Sequence, residues 1–307
     1  MKPKEDIWGW MLAVDFFFAG MGGGMLVIIG VVEMFLGEGR TSLIANFIAP
    51  LFVALGALLL ILELGRPFQA WRVFLNPKAI LTIGAWCMLM AIGFGLIYAT
   101  FGIKALPWSG WVVIRKLVAV FCVIFGLVVA TYPGVLLGRH KSRPFWTGFG
   151  MVTLFLTSSL VTGSSAHLLC NLILPPAKLE ISTILPYLAA GLLAFQLIFW
   201  ILYMWMKKTG TTDREAQAIQ SWINGDASIG FWGGFLFAGS LIPIVLLLIP
   251  SAISYLIGVI LVLLAGLWMR INVIHAGKTR TWLPGEERYR GRLPLGDEAF
   301  LKAWLKD

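Results

Sequence analysis

The sequence predicts an all-α integral membrane protein of about eight transmembrane helices, arranged as two four-helix bundles. Three observations carry that fold class. Hydrophobic residues make up 59% of the 307 and charged residues 13%, against roughly 45–50% and 25% in an average soluble domain. The mean hydropathy is +0.87. The apolar residues fall in long runs separated by short clusters that hold nearly all the charge. A hydrocarbon core of about 30 Å needs roughly 20 residues of helix, and runs of that size recur along the whole sequence. Barrel strands would instead show alternating segments of about ten residues.

The spans, in order, are 8–36, 46–64, 80–101, 112–137, 146–172, 184–206, 229–249 and 252–275. The first is too long for a cleavable leader and carries Asp15, so it reads as a membrane helix. The last two meet at Ile249-Pro250-Ser251, a tight hairpin. By domain, residues 1–172 hold the first four-helix bundle with the candidate site, plus the start of the second bundle (helix 5). Residues 173–276 hold the remainder of the second bundle, and 277–307 form a polar tail with a short amphipathic end, Phe300 to Leu305.

Even span number puts both termini on one side. Roughly 18 of the 24 Lys and Arg lie in the even-numbered loops and the two tails. Arg40, Lys104, Arg115, Lys116 and Lys178 belong to the other side, and Arg270 stands near the end of the last helix. By the positive-inside rule the termini face the cytoplasm and the protein lies in the inner (cytoplasmic) membrane. The net charge of +9 is thereby explained by the membrane, and nucleic acid is not an expected partner. Membrane lipid is. Trp8, Trp10, Trp71, Trp108, Trp111 and Trp146 fall near span ends, as an aromatic belt would place them. Cys87, Cys122 and Cys170 lie far apart inside apolar runs, without a C-x-x-C motif, so they read as small buried residues rather than metal ligands.

A carboxylate at membrane depth is a functional hypothesis by default. Asp15 lies about two turns inside the first helix and is followed by Gly20-Met21-Gly22-Gly23-Gly24. Those glycines admit either a neighbouring helix or a flat ligand. Because helices alternate in direction, Asp15, Glu63, Arg66, Tyr132 and Arg139 all fall on the terminus side. An acid, a phenol and arginines around a cleft with Gly20 and Gly23 suit binding and protonation of a quinone carbonyl. The phenol donates a hydrogen bond, and a desolvated carboxyl exchanges the proton. Blander roles are open for each: Glu63 paired with Arg66 at the interface, Asp15 as a helix-packing residue, Tyr132 in the aromatic belt. Glu33 lies near the opposite face, where water can solvate it. In the fifth helix Ser158, Thr162, His167 and Asn171 form a polar seam toward that face, with Gln196 midway along the sixth. The seam reads as a proton path through ordered water, or as hydroxyls bonded back to their own helix.

Only three histidines occur in the sequence. His140 is in a loop, and His167 and His275 are near opposite faces, so no mid-membrane pair of axial imidazoles for a b-type haem is available.

Several motifs resemble the NrfD/polysulfide-reductase membrane-subunit family over roughly residues 8–275. They are the Gly-rich first helix after an aromatic start, Leu64-Gly65-Arg66-Pro67, and Trp71-Arg72-Val73-Phe74-Leu75-Asn76-Pro77. Tyr132-Pro133-Gly134-Val135-Leu136-Leu137, Arg143-Pro144-Phe145-Trp146 and Ser159-Leu160-Val161-Thr162-Gly163 follow in order. The resemblance implies a haem-free quinone-reactive anchor, taking menaquinone or ubiquinone and holding no iron–sulfur cluster itself. It implies two partners: a four-cluster ferredoxin-like iron–sulfur subunit and a molybdopterin-type catalytic subunit. It also implies a quinone site among the first four helices, near the iron–sulfur partner, with Tyr132 as the tyrosine of the Tyr-Pro-Gly motif. Asp15 matches a polar position where some members carry histidine, and a nearby polar position is Leu12 here.

The function expected is therefore that of a membrane anchor subunit in a multi-subunit respiratory oxidoreductase. It would pass electrons between the iron–sulfur partner and the quinone pool, with proton transfer at Asp15 and Tyr132. A secondary transporter or ion channel is a second class, disfavoured by the lack of a clear inverted repeat. A passive structural anchor is a third.

Overall fold

The computed structural model describes residues 9–63, 71, 73–75, 80–139, 143, 145–146, 148, 150–209, 219–220, 222–225 and 228–277. It is all-helical, and the described residues contain no strand. Among the described residues, eight helices are long and apolar enough to cross a membrane: α1 Trp10–Phe35, α2 Leu43–Glu63, α3 Ile80–Phe101, α4 Val112–Gly138, α5 Gly150–Ile173, α6 Glu180–Lys208, α7 Gly230–Leu248 and α8 Ala252–Ala276. The protein is a multi-pass membrane protein. Each helix coincides with an expected span to within about four residues at either end. The α7–α8 hairpin falls where Ile249-Pro250-Ser251 predicts it: Ile249 turns to extended backbone, and Pro250 has no N–H with which to continue a helix. Hydropathy could not foretell that Gly230–Leu241 of α7 is wound as a π-helix.

Helices α1 to α4 contact one another in a closed ring, as do α5 to α8, and α1 joins the two rings by touching both α5 and α8. Burial follows from that arrangement. In its most apolar window α1 is 89% buried and α5 72%, whereas every other helix has less than two fifths of its window buried. Exposed Leu51, Leu58, Val113, Phe195 and Ile198 on the outer helices are the apolar surface that lipid solvates.

The glycine run of α1 explains how one helix serves so many neighbours. Successive residues point about 100° apart around an α-helix, so Gly22, Gly23 and Gly24 face three different partners. A Cβ on Gly22 would meet the backbone of Ala49 and Val53 in α2, and one on Gly23 would meet Gly126 and Ala130 in α4. On Gly24 it would sit 2.1 Å from the Ser159 carbonyl oxygen in α5. Gly20 and Gly24 of α1 thus mesh with Ser159 and Gly163 of α5, a small-residue seam four apart on both sides. The alternative of a flat ligand against Gly20 or Gly23 is thereby corrected, because neighbouring helices already fill that space. Gly24→Ala is expected to destabilise the protein by about 1–3 kcal/mol or more, since backbone rather than a flexible side chain stands in the way. A lowered thermal midpoint in detergent, with the equivalent exposed change Gly93→Ala nearly silent, checks this.

Trp146 corrects the belt reading. It is fully buried, donates from its indole Nε1 to the Val273 carbonyl at 2.6 Å, and lies under the Arg143 guanidinium, 4.5 Å from the ring centroid. Trp10, Trp71 and Trp111 are exposed, as belt residues are, while Trp8 lies outside the described residues. Trp146 joins Phe145, Trp200, Tyr203, Trp222 and Phe231 in an aromatic cluster that ties the α4–α5 connection to α6 and α7.

Candidate functional site

Asp15 enters α1 five residues after its start and is completely buried. Neither carboxyl oxygen has a hydrogen-bond partner among the described residues. Leu12, one turn earlier and also buried, offers it nothing polar. A buried unpartnered carboxyl is costly in a protein interior, and a site for a hydrogen-bonding ligand is one reason for its retention.

Tyr132 stands in the same condition. Its phenol is buried and unpartnered. The Tyr132 ring occupies the niche left by Gly84 of α3, where a Cβ would fall 2.3 Å from a ring carbon. Pro133, next in sequence, cannot donate to the carbonyl one turn back, which loosens α4 at this level. Asp15 and Tyr132 are close enough to interact electrostatically, as are Asp15 and Glu63. Glu63 is half-buried at the end of α2, within reach of the Gly9 backbone. An apolar cavity of about 160 Å³ lies between α2, α3 and the short turn at 73–75, lined by Leu60, Val73, Phe74, Leu81, Met88 and Ile92 among others; Asp15, Glu63 and Tyr132 are not in its lining. Leu81 and Met88 pack in one apolar cluster with Tyr132.

The structure therefore brings Asp15, Glu63 and Tyr132 together at the terminus side. It does not bring Arg139 among them: that residue is the exposed cap of α4. Arg66 lies outside the described residues. Gly20 and Gly23 contact helices rather than the cavity.

In the α5 seam Ser158, Thr162 and His167 are all buried. Several hydroxyls bond back to their own helix, Thr162 to the Ser158 carbonyl at 2.9 Å and Ser164 to that of Val161 at 2.9 Å. His167 differs, because neither ring nitrogen has a partner among the described residues. Ser165 Oγ, Asn171 Oδ1 and Gln196 Oε1 are unpartnered too. The seam is a mixture of self-satisfied hydroxyls and unpartnered hydrogen-bonding atoms.

Two features escaped sequence reasoning. Glu33 is not solvated at the opposite face but buried there, 2.8 Å from Arg115 Nε and accepting from the Tyr98 phenol at 3.0 Å. Arg115 also pairs with exposed Glu38 at 2.8 Å. These groups border a cavity of about 320 Å³ between the odd-numbered loops, with Lys104 and Asn46 also in its lining. The second is Arg270, read from sequence as a helix-end charge and found fully buried. Its distance from the helix end, six residues, was the available signal. No three His, Cys, Asp or Glu side chains cluster as metal ligands among the described residues.

The sequence matches the family model described as polysulphide reductase, NrfD, over residues 2–281. It is 28% identical over 302 residues to the C subunit of polysulfide reductase from Wolinella succinogenes, an alignment covering 89% of this protein and 95% of that one. To protein NrfD of Escherichia coli it is 21% identical over 192 residues, covering 53% of this protein and 59% of the relative. With a family model spanning nearly its whole length, this protein belongs to the polysulphide reductase NrfD family.

Proposed function

We propose that the protein is the membrane anchor subunit of a respiratory oxidoreductase, exchanging electrons between a partner iron–sulfur subunit and the quinone pool at a site formed by Asp15 and Tyr132. The observation that carries this reading is the pair of buried, unpartnered polar side chains, in a four-helix ring that also holds an apolar cavity whose Leu81 and Met88 pack in one cluster with Tyr132. That donor set fits a quinone, which presents carbonyl acceptors on an apolar ring and tail. A quinone supplies two-electron, two-proton redox chemistry when bound. The Tyr132 hydroxyl donates a hydrogen bond, and the Asp15 carboxyl holds or releases a proton at its Oδ atoms. Leu12, Phe16 and Phe17, the buried apolar neighbours of Asp15 along α1, keep water away, so the proton goes where hydrogen bonds direct it. Glu63, half-exposed at the end of α2, connects that carboxyl to the aqueous face.

Membership of a family whose relative is named a polysulfide reductase subunit supports partners in a multi-subunit complex. They are a four-cluster ferredoxin-like subunit and a molybdopterin-type catalytic subunit, docked on the terminus side. The concentration of Lys and Arg there supports a cytoplasmic location for that side. The unpartnered atoms of the α5 seam support a proton path running from Ser158 through Thr162 to His167.

Purifying the protein from its native membrane in mild detergent tests the reading. Iron–sulfur and molybdopterin subunits are expected with it, along with extractable menaquinone or ubiquinone. A stable preparation of this protein alone, free of redox partners and quinone, would instead support a transporter.

A further inference from the structure

Arg270 is the most deeply buried cation among the described residues, and its partners are unusual. Its Nε donates to the Phe16 carbonyl at 3.1 Å, and Nη1 donates to the Gly266 carbonyl at 2.9 Å and to Ser158 Oγ at 3.1 Å. Nη2 reaches Ser159 Oγ at 3.4 Å. The guanidinium lies 5.5 Å from the Phe17 ring centroid and 6.0 Å from that of Phe155. Carbonyls, hydroxyls and aromatic faces satisfy its hydrogen bonds and favour its charge, but no carboxylate among the described residues lies within ion-pair distance. The surrounding helices make room for it as well. A Cβ on Gly20 would stand 3.0 Å from Nη2, and one on Gly266 3.5 Å from Nη1.

The position of this charge has a consequence for protons. Through Phe16 it abuts the residue next to Asp15. Through Ser158 it abuts the α5 seam at the end nearer the terminus side. Ser158, having accepted from Arg270, keeps its own hydrogen to donate. It lines a cavity of about 10 Å³ together with Thr162, Gln196, Phe235, Gly239 and Gly266, room for about one water. The unpartnered Gln196 Oε1 also borders that cavity. The π-helical turn of α7 supplies its far wall, a distortion that often marks functional positions. The guanidinium is thus bonded to a hydroxyl that shares one water-sized cavity with the Gln196 amide, between α8 and α6.

We propose that Arg270 is an electrostatic barrier to cations at the terminus-side mouth of the α5 seam, separating it from the Asp15 site. This rests on the reading of the seam as a proton route. An uncompensated positive charge in a low-dielectric interior repels an approaching hydronium strongly, the device by which an arginine excludes protons from a water-conducting pore. The barrier keeps the seam closed to passive flow, so protons enter it only when the neighbouring chemistry delivers them.

The test uses the intact complex, reconstituted into liposomes loaded with a pH-sensitive dye, under a potassium–valinomycin potential and without electron donor or acceptor. Arg270→Met, which keeps the bulk and removes the charge, is expected to raise passive proton conductance at least tenfold. Arg270→Lys should stay as tight as wild type. Ser158→Asp, which pairs the guanidinium with a carboxylate while leaving Arg270 in place, should leak as well, and it keeps the question answerable if the Met variant fails to assemble. Adding Thr162→Val to a leaking variant should restore tightness. Assembled Met or Asp variants with wild-type conductance would overturn the proposal, as would a leak that Thr162→Val leaves untouched. Because no redox turnover is involved, these outcomes are independent of whether Asp15 serves a quinone.

Discussion

Asp15→Asn is expected to lower quinone-linked turnover of the intact complex by about 10²-fold or more, the range for losing a positioned proton-transfer group. Asn keeps the shape of the buried side chain and removes its ability to bind and release a proton. Asp15 makes no hydrogen bond among the described residues, so nothing structural is lost and the complex should assemble in wild-type yield. Tyr132→Phe should cost less, about tenfold, because it removes one hydrogen bond to the ligand and leaves the ring in the niche of Gly84. The measurement is electron transfer between a soluble quinone analogue and the catalytic partner, alongside a subunit stoichiometry. Assembled Asp15→Asn complex with undiminished turnover would assign this protein a passive anchoring role.

Arg115→Met is expected to be the most destabilising change on the opposite face. Arg115 and Glu33 are both nearly inaccessible, with side chains 5% and 2% exposed. Removing one partner of such a pair leaves the other charge buried, at a cost of about 3–5 kcal/mol. The Tyr98 hydrogen bond to Glu33 remains and softens the loss. The contact to Glu38 contributes little, because that carboxylate is 59% exposed and screened by water. Combining Glu33→Gln with Arg115→Met should recover most of the lost stability, since no uncompensated charge is then left. Thermal denaturation of the purified complex for the two single variants and the double variant checks the pattern. Additive losses would mean that the two side chains do not act as a pair.

How much of this was legible follows from which interactions are local. The eight spans were readable because bilayer solvation is a property of each run by itself, and even the α7–α8 hairpin is written in Ile249-Pro250-Ser251. Asp15 and Tyr132 could be placed on one side because alternating helix direction fixes depth. What depth does not fix is azimuth. Gly20, Gly22, Gly23 and Gly24 announce close packing, but only the assembled helices reveal that each faces a different neighbour. Arg139, one residue past α4, sat at the right level and on the wrong side of the surface. Trp146 sat at a span end and turned inward, because its indole donates to the Val273 carbonyl of α8 rather than facing the headgroups. Glu33 finds Arg115, 82 residues away, and Arg270 finds Phe16, 254 residues away. A single sequence carries no signal for pairs so distant, so Glu33 read as a solvated charge and Arg270 as a helix-end one.

A quinone that meets this protein among helices α1 to α4, at Asp15 and Tyr132, should leave a chemical trace there. Photolabelling the intact complex with an azido-quinone, followed by mapping of the modified peptides, looks for it most directly. Label is expected around Tyr132 and on the cavity-lining residues Leu81, Met88 and Phe74, suppressed by excess unlabelled quinone. Competed label confined to α5–α8, or to the partner subunits, with none on α1–α4, would place the quinone elsewhere and leave Asp15 without its assigned role.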